Sequence, residues 1–338
     1  MRVLLLGEMA ASALDGLEAR VRSPCEFIAV EKYDEPRVLS LLEGAEVLVG
    51  SSFTRKMAAA AKKLRLVQSI GAGVEGFDLD ALPQGVVLAN THHHEVSIAE
   101  YAMFYLLSVR KQLQKFAADF KRGHWADNRF FATHLMGELK GKTLGLIGFG
   151  HIGQEIAAKA RAFSMNIQVI RKHGRAGVPD SIASQLDFMG GTADLNQVLS
   201  QADFVVLCCP LNEETRGLIG ATQFSSMKPT AHLVNVARGP VVDEQALYQA
   251  LASKRIAGAA IDVWYTHPSR PPDPDKPCFP SRFPFHELDN VFMTPYIVGW
   301  GESTVAGRLQ DMADNIDRVF EGKPLKNVVG RVAVAASE

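Results

Sequence analysis

Thr143-Leu-Gly-Leu-Ile-Gly148-Phe-Gly150-His-Ile-Gly153 is followed by apolar residues at helical spacing, Ile156, Ala157 and Ala160. An apolar strand, a GxGxxG turn and a helix in direct succession form the fingerprint of a dinucleotide-binding unit. The glycines permit a tight turn and let a pyrophosphate approach the backbone where the N–H groups of a helix N-terminus point outward. Gly148, Phe149, Gly150, His151, Ile152 and Gly153 are therefore the candidate phosphate loop, with a plain strand-to-helix turn as the alternative. In this motif a carboxylate at the end of the second strand normally binds the adenine ribose. Here the strand Asn166–Ile170 runs into Arg171-Lys172-His173, with no acid. A guanidinium binds a 2′-phosphate bidentately where an aspartate would repel it. The expectation is NADP(H) in preference to NAD(H), with Arg171 and Lys172 at the phosphate; the alternative is a solvated strand end.

Outward from this loop the same pattern recurs. Short apolar stretches at Arg2–Leu6, Phe27–Val30, Val47–Gly50, Leu66–Ile70 and Val86–Ala89 alternate with helical ones. A second series runs through Thr143–Ile147, Ile167–Ile170, Phe204–Cys208, His232–Val236, Gly258–Val263 and Val291–Thr294. Such alternation predicts an α/β fold with parallel sheets. From Val96 to about Phe120 the apolar residues keep helical spacing, which predicts one long helix bridging domains or subunits. Glu302–Phe320 is again helical by period and is expected to return to the first block. The domains expected are thus a discontinuous one, 1–97 with 297–338, and a dinucleotide-binding one, 98–296.

With 338 residues, 47% of them hydrophobic, the chain is long enough for two domains with real cores. Lys and Arg number 36 against 37 Asp and Glu, so there is no global basic field to hold nucleic acid or an anionic membrane. No apolar run approaches the ~18–20 residues of a membrane span, and the opening run breaks at Gly7-Glu8, so the chain reads as soluble and cytoplasmic. Cys25, Cys208, Cys209 and Cys278 have no metal or disulfide spacing, and Cys208-Cys209 lies in an apolar run as buried strand thiols do.

Several further segments, in order, resemble the D-isomer-specific 2-hydroxyacid dehydrogenases over nearly the whole chain. Gln68-Ser-Ile-Gly-Ala-Gly-Val-Glu-Gly-Phe-Asp78 is similar to that family's substrate loop. Ser97-Ile-Ala-Glu100 and Gly123-His-Trp125 are similar to the ends of its long helix, and Leu207-Cys-Cys-Pro-Leu211 with Glu214-Thr215 to its cofactor-side loop. Val234-Asn-Val-Ala-Arg-Gly239 with Val242-Asp243 and Ala246-Leu247 is the most specific match, and Gly258-Ala-Ala-Ile-Asp-Val263 follows at the family spacing. The resemblance implies a flavodoxin-like substrate domain and an inserted Rossmann cofactor domain, each a doubly wound parallel sheet, with the active site in their cleft and a homodimer as the assembly.

It also implies a hydride transfer between the nicotinamide and C2 of a 2-oxo or 2-hydroxy acid. Gly71, Ala72, Gly73, Val74 and His94 would meet the substrate, and Arg238 would polarise its carbonyl. Cys209, Pro210, Thr215, Val236, Ala237, Arg238, Asp262 and Tyr296 would line the cofactor, Asp262 at the carboxamide. The family's acid–base histidine and its supporting glutamate are both replaced. Asp262-Val-Trp-Tyr-Thr-His-Pro268 sets His267 at the glutamate position, and Thr294-Pro-Tyr-Ile-Val-Gly-Trp300 sets Tyr296 at the histidine position.

Three readings follow. Tyr296 is the proton donor with His267 as its hydrogen-bond partner; or the site acts on another substrate class; or the chain is a cofactor-sensing binding module. A phenol holds its proton at neutral pH, so it would protonate a nascent alkoxide but be a poor base. The first reading therefore favours reduction. His92-His93-His94 do not share one face, so no metal is expected, but one substrate contact with two solvated rings. His92 or His94 could also stand in for the missing acid–base group. The proline-rich stretch Pro268–Pro284 is expected to cover the cleft or a partner, or to be inert packing. Trp264 and Trp300 would line the pocket or fill the core.

Overall fold

Strands β1 (Arg2–Leu6), β2 (Glu26–Val30), β3 (Val47–Gly50), β4 (Leu66–Ser69) and β5 (Val87–Ala89) pair in parallel in the order β5-β4-β3-β1-β2. The computed structural model describes residues 1–125, 135–268 and 275–331. Each strand presents apolar residues to both faces, as a parallel sheet covered by helices requires. In β1, Val3 and Leu5 point to one core while Leu4 and Leu6 point to the other. The second sheet is parallel throughout: β6 (Thr143–Ile147), β7 (Asn166–Ile170), β8 (Phe188–Gly190), β9 (Phe204–Leu207), β10 (His232–Asn235), β11 (Gly258–Ile261) and β12 (Val291–Met293), in the order β12-β11-β10-β9-β6-β7-β8. In β9, Phe204 and Val206 face one core, and Val205 and Leu207 the other. The α/β fold with two parallel sheets is as expected from the alternating pattern.

The chain divides into two compact units, Met1–His94 with the segment from Trp300 onward, and Glu95–Gly299. The helix Glu302–Glu321 returns to the first unit, where Met312, Ala313, Ile316 and Val319 pack with Val3 and Leu5. After it comes a strand the sequence pattern does not announce: β13 (Val328–Arg331) adds antiparallel to β5. The stretch expected as one helix from Val96 to Phe120 is two, Glu95–Lys111 and Leu113–Lys121. The break is at Gln112, which turns to φ 51°, while its carbonyl accepts from Phe116 N to start the second helix. Neither proline nor glycine marks the break. Ile98, Ala102, Tyr105 and Leu106 of the first helix pack on the second sheet. No helix among the described residues is long and apolar enough to cross a membrane.

The proline-rich stretch, of which 269–274 lie outside the described residues, is anchored within its own unit. Glu244 accepts from Ser281 Oγ at 2.7 Å and pairs with Arg282 at 3.0 Å, and Phe283 stacks on Tyr248 at 5.1 Å. Its described end thus packs against the helix Glu244–Ala252.

The returning helix is held by a buried charge. Asp317 accepts from the backbone N–H groups of Arg22 (3.1 Å) and Ser23 (2.9 Å) and from Arg22 Nε (3.1 Å). Burial opposes ionisation, but the hydrogen bonds from Ser23 and Arg22 outweigh it and hold the carboxyl below the usual carboxylate range. A lowered native pKa stabilises above the unfolded value of ~3.9, and the gain is lost as pH falls through the native value. Asp317→Ala should therefore cost about 2 kcal/mol in urea unfolding at pH 7. The difference from the wild-type chain should shrink as the acid range is entered below pH ~4.

Candidate functional site

At the end of β6 the backbone turns through Gly148, at φ 108°, where a Cβ would fall 2.6–2.8 Å from the main chain of Cys208 and Cys209. A Cβ on Gly153 would lie 2.7 Å from Gly148 O and 3.3 Å from Cys208 Sγ, so the helix His151–Ala162 approaches the turn only because side chains are missing there. Around Gly150, which caps that helix, no atom lies within 4 Å of where a Cβ would stand. Turn, open approach and close helix packing are thus each served by one glycine, and the first-turn N–H groups of the helix have no partner within it. The loop fits a pyrophosphate. Cys208 Sγ donates to Gly148 O at 3.2 Å. Burial pushes its thiol far up and that of Cys209 up to about 11, so both are inert thiols at neutral pH. His151 Nδ1 lies 3.3 Å from Glu95 Oε1 in the same unit.

At the end of β7, Arg171 N donates to Gly190 O, and Nη1 donates to Ala176 O at 3.0 Å. Among the described residues no carboxylate pairs with Arg171. Lys172 is engaged with Glu214 at 2.7 Å, and Arg175 with Asp180 at 2.7 Å. The lysine therefore ties the end of β7 to the loop after β9. In that loop Thr215 Oγ1 donates to Pro210 O (2.7 Å) and accepts from Asn212 N (2.8 Å), while Asn212 Oδ1 accepts from the N–H groups of Glu214 and Thr215 (3.0 Å each). The polar atoms of Thr215 are used inside the loop, and Asn212, not singled out from sequence, builds it as an Asx turn.

Beyond β10 comes Val236-Ala-Arg238. Buried Asn235 shapes this turn: its Oδ1 accepts from Ala237 N at 3.1 Å and its Nδ2 donates to Arg238 O at 3.2 Å. Half-buried Arg238 donates from Nη1 to Ala237 O at 2.8 Å. An asparagine three residues before a candidate arginine was the available signal for this turn, and sequence reasoning passed over it.

Asp262, after β11, is 3% exposed. Its Oδ1 accepts from Thr294 Oγ1 (2.7 Å) and Ile297 N (3.0 Å), and its Oδ2 from Val298 N (3.3 Å). Thr294 Oγ1 also lies 3.1 Å from the Tyr101 hydroxyl. A carboxylate only accepts, so the threonine proton goes to Asp262 and Tyr101 donates to the threonine. Burial raises Tyr101 to about 12, which keeps that donor in place. Trp264 is core, its Nε1 donating to Thr294 O at 2.8 Å, whereas Trp300 is exposed.

Tyr296 follows β12, 39% exposed and at φ 59°. His267 meets it edge to face, ring centres 5.8 Å apart and planes at 86°. The hydrogen bond expected between the two is absent among the described residues: the rings are nearly perpendicular and touch by edge and face.

In the first unit, the turn after β4 directs its carbonyls inward. Gly73 O accepts from Ser69 Oγ (3.2 Å), Ala72 O from Asn90 Nδ2 (2.9 Å) and Gly71 O from Thr91 N (3.2 Å). Among the described residues no acceptor meets the N–H groups of Ala72, Gly73 and Val74. The three histidines do not all turn the same way. His93, at φ 72°, meets Asp311 Oδ2 at 2.8 Å, while His92 and His94 stack at 6.4 Å.

Residues 103–298 match the family described as D-isomer specific 2-hydroxyacid dehydrogenase, NAD binding domain. The chain is similar to the D-3-phosphoglycerate dehydrogenase of Methanocaldococcus jannaschii, at 34% identity over 297 residues, covering 86% of this chain and 53% of that one. It is similar to the hydroxypyruvate reductase of Thermotoga maritima at 30% identity over 299 residues, covering 87% and 90%. The chain thus spans about half the length of the first relative and most of the second. A solved structure of a D-isomer specific 2-hydroxyacid dehydrogenase family protein from Aeromonas salmonicida superposes with a TM-score of 0.76 at 28% identity, covering 97% and 98%. By sequence over most of its length and by fold, this chain belongs to the D-isomer-specific 2-hydroxyacid dehydrogenase family.

Proposed function

We propose that the chain is an NADP(H)-dependent reductase of a 2-oxo acid, with Arg238 polarising the carbonyl and Tyr296 supplying the proton. The observation that carries this reading is the order of groups along one sheet edge. Reading β7, β6, β9, β10, β11, β12 across the sheet, their carboxyl ends bear Arg171, the glycine loop, Cys209-Pro210, Arg238, Asp262 and Tyr296. Ligands of open α/β sheets bind along this edge. The sequence supports a phosphate near Arg171, a pyrophosphate at β6 and the reacting end at β10 to β12.

When bound, the cofactor supplies the hydride. The rest falls to side chains of this chain. The amides of Ala72, Gly73 and Val74, together with His94 of the same unit, suit the carboxylate of the acid. The Arg238 guanidinium stabilises the charge that builds on the carbonyl oxygen. Tyr296 passes its proton to that oxygen and recovers one from water. His267 packs against the phenol edge to face and fixes its ring. This division of labour runs toward reduction, since a protonated phenol is an acid and not a base. We further propose a homodimer through the helices Glu95–Lys111 and Leu113–Lys121, whose Phe104, Leu113 and Phe120 are exposed large apolar residues.

A second reading, cofactor binding without turnover, is favoured by the missing His267–Tyr296 hydrogen bond. Steady-state assays of glyoxylate, hydroxypyruvate, phenylpyruvate and branched 2-oxo acids with either cofactor separate the two. Reduction of at least one acid, faster with NADPH than with NADH, is expected. Quenching of the three tryptophans by NADPH without any reduction would establish the binding module instead. In the active pair, Tyr296→Phe should lower kcat by roughly 10²–10⁴-fold with KM little changed. An unaltered kcat would remove Tyr296 from the chemistry.

Cofactor choice has its own test. Arg171→Asp should weaken NADPH by roughly 10–100-fold while leaving NADH within a few-fold, as read by fluorescence titration. Equal loss of both would mean that Arg171 supports the strand end and reads no phosphate.

A further inference from the structure

Tyr296 stands in the left-handed region, φ 59°, which a bulky residue enters only when its surroundings compel it. What compels it is visible on both sides. Pro295 before it has no N–H to offer. The next three backbone N–H groups all converge on a single residue: Tyr296 N donates to Asp262 O (2.9 Å), Ile297 N to Asp262 Oδ1 (3.0 Å) and Val298 N to Asp262 Oδ2 (3.3 Å). Successive amides directed inward around a left-handed residue form a nest, a concavity that binds an anion. Here the anion is the carboxylate of Asp262, buried and aimed into the concavity.

The carboxylate is itself oriented. Thr294 Oγ1 donates to it, backed by Tyr101, and Trp264 Nε1 holds Thr294 O. At the far end of the segment Ser97 Oγ donates to Val298 O at 2.6 Å. Three of the roughly four lone-pair positions of the carboxylate are therefore taken by its own unit.

Resting on the reading of Tyr296 as proton donor, we infer that Asp262 is a positioning residue: its carboxylate takes the Ile297 and Val298 amides while its own carbonyl takes that of Tyr296, and so it holds the Tyr296 phenol where it is presented. A neutral amide would not do this. Asparagine offers one acceptor and sets an NH2 group against a backbone N–H that needs an acceptor. The nest then opens, Tyr296 returns to ordinary backbone conformations, and its side chain leaves its place.

The test is Asp262→Asn, read in two ways. In the cofactor-free protein, amide hydrogen exchange of Ile297 and Val298 should rise tenfold or more, with exchange elsewhere in the sheet unchanged. In reduction of a 2-oxo acid, kcat should fall on the order of 10²-fold, since a misplacement near 1 Å costs that much. NADPH affinity by tryptophan quenching should stay within about twofold. In a Tyr296→Phe background, Asp262→Asn should cause little further loss, because both act through one phenol.

Thr294→Val, which removes one oriented donor and keeps the carboxylate, should show the same pattern more weakly, and it serves if the aspartate variant does not fold. Unchanged exchange at Ile297 and Val298 overturns the inference. So does a tenfold loss of NADPH affinity with a kcat loss that multiplies that of Tyr296→Phe, which would place Asp262 on the cofactor. If Tyr296→Phe alone leaves kcat intact, the proton-donor reading fails, and the exchange result still decides the nest.

Discussion

Seven strands that all run the same way must all finish at one edge, and in the Glu95–Gly299 unit the groups proposed to meet cofactor and substrate hang from that edge. The edge exists because β6 to β12 bury apolar side chains on both faces, which leaves the backbone turns at the strand ends as the place where polar chemistry is tolerated. Strand order then becomes functional order. Neighbouring strands lie ~4.8 Å apart, so side chains far apart in sequence, such as Arg171 and Tyr296, take fixed stations along a line.

The stations differ in how they meet charge. At β6 the backbone supplies donors and needs an anion from outside, which is why the glycines leave the space near Gly150 open. At β11 and β12 the backbone again supplies donors, but the anion is built in, as Asp262. One nest is kept for a ligand and the other is filled to fix a tyrosine. Helix N-termini and nests thus serve binding at one station and geometry at the other, by the same electrostatics.

Much of the architecture was legible in the sequence. The strands of both sheets from β1 to β7 and β9 to β12, and the returning helix, follow from apolar runs and helical spacing to within a residue or two. What escaped has physical reasons. β8, Phe188-Met-Gly190, has no β-branched residue and ends on glycine, so it carries little strand signal, and β13 is placed by long-range pairing with β5. The break at Gln112 lies between residues that all suit a helix. Around the site, motif spacing named Arg238, Asp262, Tyr296 and His267. It could not foresee that Asp262 faces three donors of its own unit, or that His267 meets Tyr296 by ring edge, because orientation is set by the turn conformation and not by register. Asn212 and Asn235 were missed for a related reason. Their work is on backbone groups a few residues away, and the signal, an asparagine inside a loop, is common.

Hydride transfer from the nicotinamide to C2 of a 2-oxo acid, with Arg238 and Tyr296 serving it, is read by isotope tracing. NADPH deuterated at C4 of the nicotinamide, incubated with the wild-type chain and a reducible 2-oxo acid, should give a 2-hydroxy acid carrying deuterium at C2, one per NADPH consumed. NADPH that binds while every acid in the panel is recovered without deuterium would show that no such transfer takes place.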